Sequence, residues 1–370
     1  MGYAINDLVK QVTTTSGTGD LTLGASVAGY RTFESAIPDL DHVVYEVHAV
    51  DVGGTRTGQF ETGIGQFWMD GATPKLRRAW PLTNSAGTAP LPLSFSAGTK
   101  HVYVTLAGAQ ANGLLISNDG QGDTPWLYVR SGGNDDNSGF GSSNAEAFAT
   151  IEHAVEVALA CFSKVNIDIG AGTFGNVLID QGTGIRTGCD ITIVGAGRAS
   201  TTIGYVYVSG NNSLSLFNVT IVHATQVALT VAERAKAITG LFDEDEYTLS
   251  FGACPAGHVL VQSGGNVRLN DYHIAGGCSA GAHIIAEDTS LVIIGGEQTL
   301  DASVSFSSGT VVARTLSCVT LNNTFTLGAF AVTGKRYDVT GNAVVNTDGG
   351  GSTYIPGSVA GTTATGGQYL

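Results

Sequence analysis

Apolar and polar residues alternate through the first third of the chain, from about Asn6 to Ala107, in six short runs: DLVKQVTTT, GDLTLG, HVVYEVHAV, GQFETGIGQFW, KLRRAWPL and KHVYVTLAG. A period of two marks strands with one face on a core, and the Gly, Asn, Asp and Pro residues between the runs supply turns. Six strands in so short a stretch predict a small antiparallel sandwich or barrel over residues 1–108. YRTFESA, Tyr30 to Ala36, is expected to form a helical turn or a covering loop beneath it. AQANGLLISNDGQGDTP, at 109–125, is rich in small and turn residues and reads as a linker or neck, either a joint between parts of different symmetry or a plain boundary.

From Trp126 the pattern changes. LYVRSGGNDDNSGFGSSNAEAFATIEHAVEVAL opens with a strand, passes through a polar loop, and reaches a helix with Phe148, Ile151, Val155 and Leu159 on its apolar stripe and Asn144 as N-cap. Short strand-like runs follow, each ending near Gly or Asn, interrupted by the acidic insert LFDEDEYTLSFGACPAG. His258 and His283 are 25 positions apart and open similar apolar triplets; the step from Asn266 to Ser290 is 24, and that from Ser290 to Thr310 is 20. Periods in the twenties with a strand in each predict a solenoid, here 126–348, followed by a C-terminal tail at 349–370. A helix before the first coil would cap its open strand edge. A sandwich or a string of hairpins is the competing arrangement.

Composition agrees with an all-β chain. Of 370 residues 52 are glycine, and only 13 % are charged against 43 % hydrophobic, which excludes both a disordered segment and a coiled coil. The net charge of −14 argues against nucleic acid as a partner, since phosphates demand clustered cations. Lys75, Arg77 and Arg78, beside Pro74, read as a solvated turn. No stretch approaches 18 apolar residues, and MGYAINDLVK lacks the pattern of a secretion signal, so the expectation is a protein made in the cytoplasm with no membrane insertion. Cys161, Cys189, Cys254, Cys278 and Cys318 are far apart without metal-ligand spacing and read as buried free thiols. His42 and His48 do not make a ligand set, and neither a metal nor a cofactor is expected.

Leu127 to Ala158 resembles the opening of right-handed parallel β-helix proteins of the pectin-lyase-like class, where a FATI-x-x-A helix caps the first coil; Phe148, Ala149, Thr150, Ile151 and Ala154 carry the match. Val12 to Ala36, Val43 to Val47 and Leu93 to Ala109 resemble an attachment module of structural proteins from tailed bacteriophages and gene transfer agents. That module has a W-E-x-G-x-G stretch where this chain has Glu61, Gly63 and Gly65 in GQFETGIGQFW. Tyr354 to Leu370 is similar to the end of phage fibre and spike chains. The resemblance implies a tail fibre or tailspike of the virion: a homotrimer that docks on other virion proteins through residues 1–108 and presents a β-helix to a host cell-surface glycan. It also implies two rivals, a polysaccharide depolymerase and a purely architectural decoration protein.

No nucleophile elbow, HExxH, Walker loop or dinucleotide fingerprint occurs; GAGTFG and GAGRAS lie at strand ends in the repeat region and read as turns. A glycan-cutting site needs two carboxylates. Asp168, Asp180, Asp190, Asp271, Glu287, Asp288, Glu297 and Asp301 are candidates, and Asp271 with Glu297, 26 positions apart, could stack one coil upon the next. Binding without cleavage asks only for aromatic faces: Tyr205 and Tyr207 on one strand, and Tyr247 and Phe251 of the insert. Outward apolar residues such as Val292, Ile294, Val311 and Leu316 are expected to pack between subunits.

Overall fold

The computed structural model describes residues 8–89, 91–105, 124–137, 139–180, 188–240 and 248–370. The 109–125 linker falls almost wholly outside them. All six predicted N-terminal strands form: β1 (Lys10–Thr13), β2 (Leu21–Thr22), β3 (His42–Val50), β4 (Arg56–Asp70), β5 (Thr73–Asn84) and β6 (Lys100–Val104), in the order β1-β6-β3-β4-β5-β2. The two edges of this sheet meet, because Gly24 N–H donates to Val12 O and Val12 N–H donates to Ala25 O. The sheet thus curls into a barrel. YRTFESA provides the helical turn α1 (Phe33–Ala36), whose Phe33 fills the barrel with Tyr45, Phe67, Leu76 and Val102.

One ion pair is sealed inside the barrel. Arg78 and Glu61 approach to 3.3 Å, their side chains 1 % and 0 % exposed. Tyr45 Oη donates to Glu61 Oε1 at 2.7 Å, and Arg78 also donates to the carbonyls of Gly17, Gly19 and Leu93. A Cβ on Gly63 would lie 2.5 Å from Trp80 O and 2.8 Å from Tyr45 Oη, so the Glu-x-Gly-x-Gly stretch leaves room for the tyrosine that its glutamate holds. This corrects the solvated-turn reading of Lys75, Arg77 and Arg78. Adjacent strand residues face opposite sides: Arg78 points into the barrel, while Arg77 points out and pairs with Asp136 at 2.6 Å. Lys75 pairs with Asp70 at the strand end.

β7 (Trp126–Val129) opens the second part, and the helix α2 (Ile151–Cys161) follows. Its N-cap is Thr150, not Asn144, and Phe148 precedes the helix, bridging Val129 within the core. Asp135 sets that start by accepting from Ala149 N–H, Thr150 N–H and Thr150 Oγ1. A Cβ on Gly133 would lie 2.2 Å from Phe148 O, which is why the preceding loop is glycine-rich.

From Lys164 onward the chain is a parallel β-solenoid. Its first sheet is read through the pairs Lys164↔Asp190, Asp190↔Ser213, Ser213↔Lys236, Lys236↔Asn266, Asn266↔Leu291, Leu291↔Cys318, Cys318↔Val344 and Val344↔Gln368. A second, shorter line runs from Gly172–Thr173 to the long strand Leu291–Leu300, which belongs to both. The third face is an eight-stranded parallel sheet from Val177–Ile179 to Thr362–Thr363. The step His258 to His283 is a true coil repeat, as Gly257 pairs with Ala282. Asn266 pairs with Leu291, one residue beyond Ser290, and Thr310 sits on a different face, so the step of 20 joined two sheets. Residues 349–370 include strands that extend both sheets and a fully buried Ile355, and so form the last coil where a tail was expected.

Six successive coils turn through two consecutive residues of left-handed backbone: Glu233-Arg234, Ser263-Gly264, Asp288-Thr289, Thr315-Leu316, Gly341-Asn342 and Thr365-Gly366. Glycine takes three of those twelve places, Asp288 and Asn342 tolerate the conformation, and the other residues carry strain. The apolar interior is continuous from one end to the other and takes in Val44 and Ile64 of the barrel, with Trp80 of β5 set edge-on to Phe140 at 3.9 Å and Phe162 at 4.8 Å. The barrel and α2 together close the first end of the solenoid.

Candidate functional site

The outward residues of the eight-stranded sheet stack in one column, because in-register parallel strands place equivalent side chains about 4.8 Å apart. Leu178, Tyr207, Thr230, Leu260, Ile285 and Val312 follow one another up this column before Asp338 and Thr362. Six levels pass without a charge. Leu178 is 42 % exposed, Tyr207, Thr230, Leu260 and Ile285 are half-buried, and Val312 is covered. Val292, Ile294 and Val311, expected outside, are 0–1 % exposed and line the interior; of that set only Leu316 faces out, at 60 %. In LVIIGG both faces of the strand are apolar, so alternation alone does not say which is inner.

The second line of strands carries a polar column: Thr173, Thr202, Thr220, Ser250, His273 and Thr299. Arg198 straps it. Its carbonyl accepts from Thr220 Oγ1 at 2.7 Å and its guanidinium reaches Asp301 at 3.0 Å, passing the level of Ser250, which is 2 % exposed. Asp301 is also held by His273 Nδ1 at 2.9 Å.

Asp271 and Glu297 do lie one coil apart, as expected, but Asp271 Oδ1 accepts the backbone N–H of Glu297. That carboxylate shapes a turn, and Glu297 is the exposed member. Asp168 is paired with Arg130 and Asp180 accepts from Ser209 Oγ, so these two candidate acids are also engaged within the chain. Tyr207 stands in the apolar column, its phenol pushed up by burial and by the nearby Asp180 and Glu233 carboxylates. Tyr205, just before it, sets its ring edge-on to His223 at 5.0 Å. Tyr247 lies outside the described residues. Phe251 is not a surface residue: it is 0 % exposed, stacked on His258 at 5.2 Å inside the solenoid, and presents no face to an external ligand.

The interior holds a polar chain that the sequence reading passed over. His258 Nε2 is 3.0 Å from Gly252 O, His258 Nδ1 is 2.8 Å from His283 Nδ1, and His283 Nε2 is 2.8 Å from Tyr272 Oη. A carbonyl only accepts, so His258 carries its proton on Nε2 and accepts at Nδ1. His283 then donates from Nδ1 and accepts from the tyrosine hydroxyl. Burial lowers the His258 pKa to about 4 and takes His283 well below its usual value, helped by His258. The repeated histidine at a step of 25 was the available signal for this stack.

Cys189, Cys254 and Cys278 are buried free thiols, and Cys318 is half-buried. Among the described residues no group of three His, Cys, Asp or Glu is placed to hold a metal, and no helix is long and apolar enough to cross a membrane. No protein-family model, no curated protein and no solved structure matches this chain.

Proposed function

We propose that the chain is a virion structural protein, a fibre or spike that docks on a phage-type particle through its N-terminal barrel and presents its solenoid to a host-surface polysaccharide. The observation that carries this reading is the uncharged column from Leu178 to Val312 on one face of a chain whose net charge is −14. Like-charged copies repel over most of their surface, and a strip without charge is where they meet at least cost. A homotrimer buries three such strips around one axis. The polar column from Thr173 to Thr299 then faces outward, where many weak glycan contacts gain strength by repetition along the shaft and across copies. The closed barrel end suits attachment, since docking there leaves the coils free.

The test is light scattering on the purified chain together with competition for cell adsorption. Three copies per particle in solution and blocked adsorption are expected; a monomer sinks the trimer, and unchanged adsorption sinks the receptor role in favour of a decoration protein. The rival depolymerase rests on the adjacency of Asp271 and Glu297. New reducing ends released from capsule or lipopolysaccharide would establish it in place of simple adhesion.

A further inference from the structure

The barrel carries a concave site of its own, on the outer face of β1, β6 and β3. Strand pairing sets Lys10 of β1, Tyr103 of β6 and Glu46 of β3 in one row of the outer face, with His101 and His48 in the next. Tyr30 rises beside them, and Lys10, Tyr30, His48, Arg56 and Tyr103 line a cavity of about 380 Å³. The Lys10 ammonium lies between two rings, 5.4 Å from the centre of Tyr30 and 5.5 Å from that of Tyr103. Among the described residues it makes no ion pair. Arg56 donates to Tyr103 Oη at 2.6 Å and pairs with Glu46 at 3.3 Å, and Tyr103 Oη lies 3.0 Å from His48 Nδ1.

Among the described residues two cations therefore meet a single carboxylate here, in a chain that is otherwise strongly acidic. Cation–π contacts hold Lys10 in place without neutralising it. The cavity has the size of a small-ligand site, the Tyr30 and Tyr103 rings are part of its wall, and the Tyr103 hydroxyl and the His48 ring are polar groups in its lining. Flat aromatic walls suit the C–H face of a pyranose ring, and an ammonium with no ion pair among the described residues asks for an anion. We propose that this cavity binds an acidic saccharide, with the sugar carboxylate on Lys10 and Arg56 and the ring against Tyr30 and Tyr103. The site stands whether or not the solenoid also binds glycan.

Calorimetric titration of the full chain with D-glucuronate, D-glucose and acetate tests it. Glucuronate is expected to bind, and both glucose, which lacks the charge, and acetate, which lacks the ring, to bind at least about 10-fold more weakly. Lys10→Gln is expected to weaken glucuronate by about 10-fold or more with the melting midpoint unchanged. Tyr30→Ala, at a ring 41 % exposed and off the sheet, gives the same direction should Lys10→Gln fail to fold. Absence of heat with glucuronate at tens of millimolar, equal affinity for acetate, equal affinity for glucose, or full affinity in both variants each overturns the proposal.

Discussion

The Nδ1 atoms of His258 and His283, one coil apart, face each other at 2.8 Å in a sealed interior with room for a single proton between them. The neutral pair satisfies every nitrogen; a second proton would set two donors head to head. Stability should therefore depend on pH, and the sign follows from the lowered folded pKa values. Unfolded histidines titrate near 6.5, whereas folded His258 titrates at about 4 and burial holds His283 well below its usual value. Below about pH 6.5 the unfolded chain binds more protons, so stability falls with pH. His258 alone accounts for about 3 kcal/mol by pH 4. Buried His42, also lowered to about 4 by desolvation, adds in the same direction. Thermal melts from pH 8 to pH 4.5 should show the decline, and replacing both solenoid histidines with phenylalanine should reduce it to the part that His42 contributes in any variant that still folds.

The Glu61–Arg78 pair inside the barrel should be costly to break from either side. Glu61→Ala leaves a buried guanidinium without its carboxylate and should destabilise by about 3–5 kcal/mol, read as a drop in the urea midpoint. Gly63→Ala should also destabilise, because its methyl would meet Trp80 O at 2.5 Å.

Leu316 has φ +61° at an exposed coil corner. Asparagine tolerates that conformation better than leucine, so Leu316→Asn should stabilise by about 1 kcal/mol. A rise in melting temperature of about 2 °C is the expected reading, and a fall would show that the exposed leucine is engaged elsewhere.

The apolar column offers a direct test of assembly. Leu260→Asp or Ile285→Asp places a charge in the middle of a column that has none over six levels. Light scattering should then report monomer while the circular dichroism spectrum stays that of the parent. An unchanged mass would move the subunit interface to another face.

Much of this architecture is written in local pattern. The six barrel strands and the solenoid are legible because alternation and strand-end turns recur along the chain, and the phenylalanine-containing cap announces itself at Phe148. The inner and outer faces are less legible. Val311 and Val312 are adjacent and both apolar, and only the pairing with Ile284 and Ile285 decides that the first points in. Glu61 and Arg78 are brought together across a sheet with shifted register, which local spacing does not encode. The helix start is not legible locally, because its N-cap Thr150 is fixed by Asp135, far along the chain from the apolar stripe. Phe251 adjoins an acidic insert, which suggests a surface position, whereas its strand frame points it inward.

The seam at Trp80 bears on how such a chain can be rearranged. Val44, Ile64 and Trp80 complete the packing around Phe140 and Phe162, so the first coil has no finished end of its own. A recombination event that joined a foreign barrel at the 109–125 segment would keep the covalent thread yet leave an unmatched socket over α2. Exchange of either half between proteins is constrained to travel with its counterpart surface, and grafted shafts will need Trp80 and its neighbours carried along.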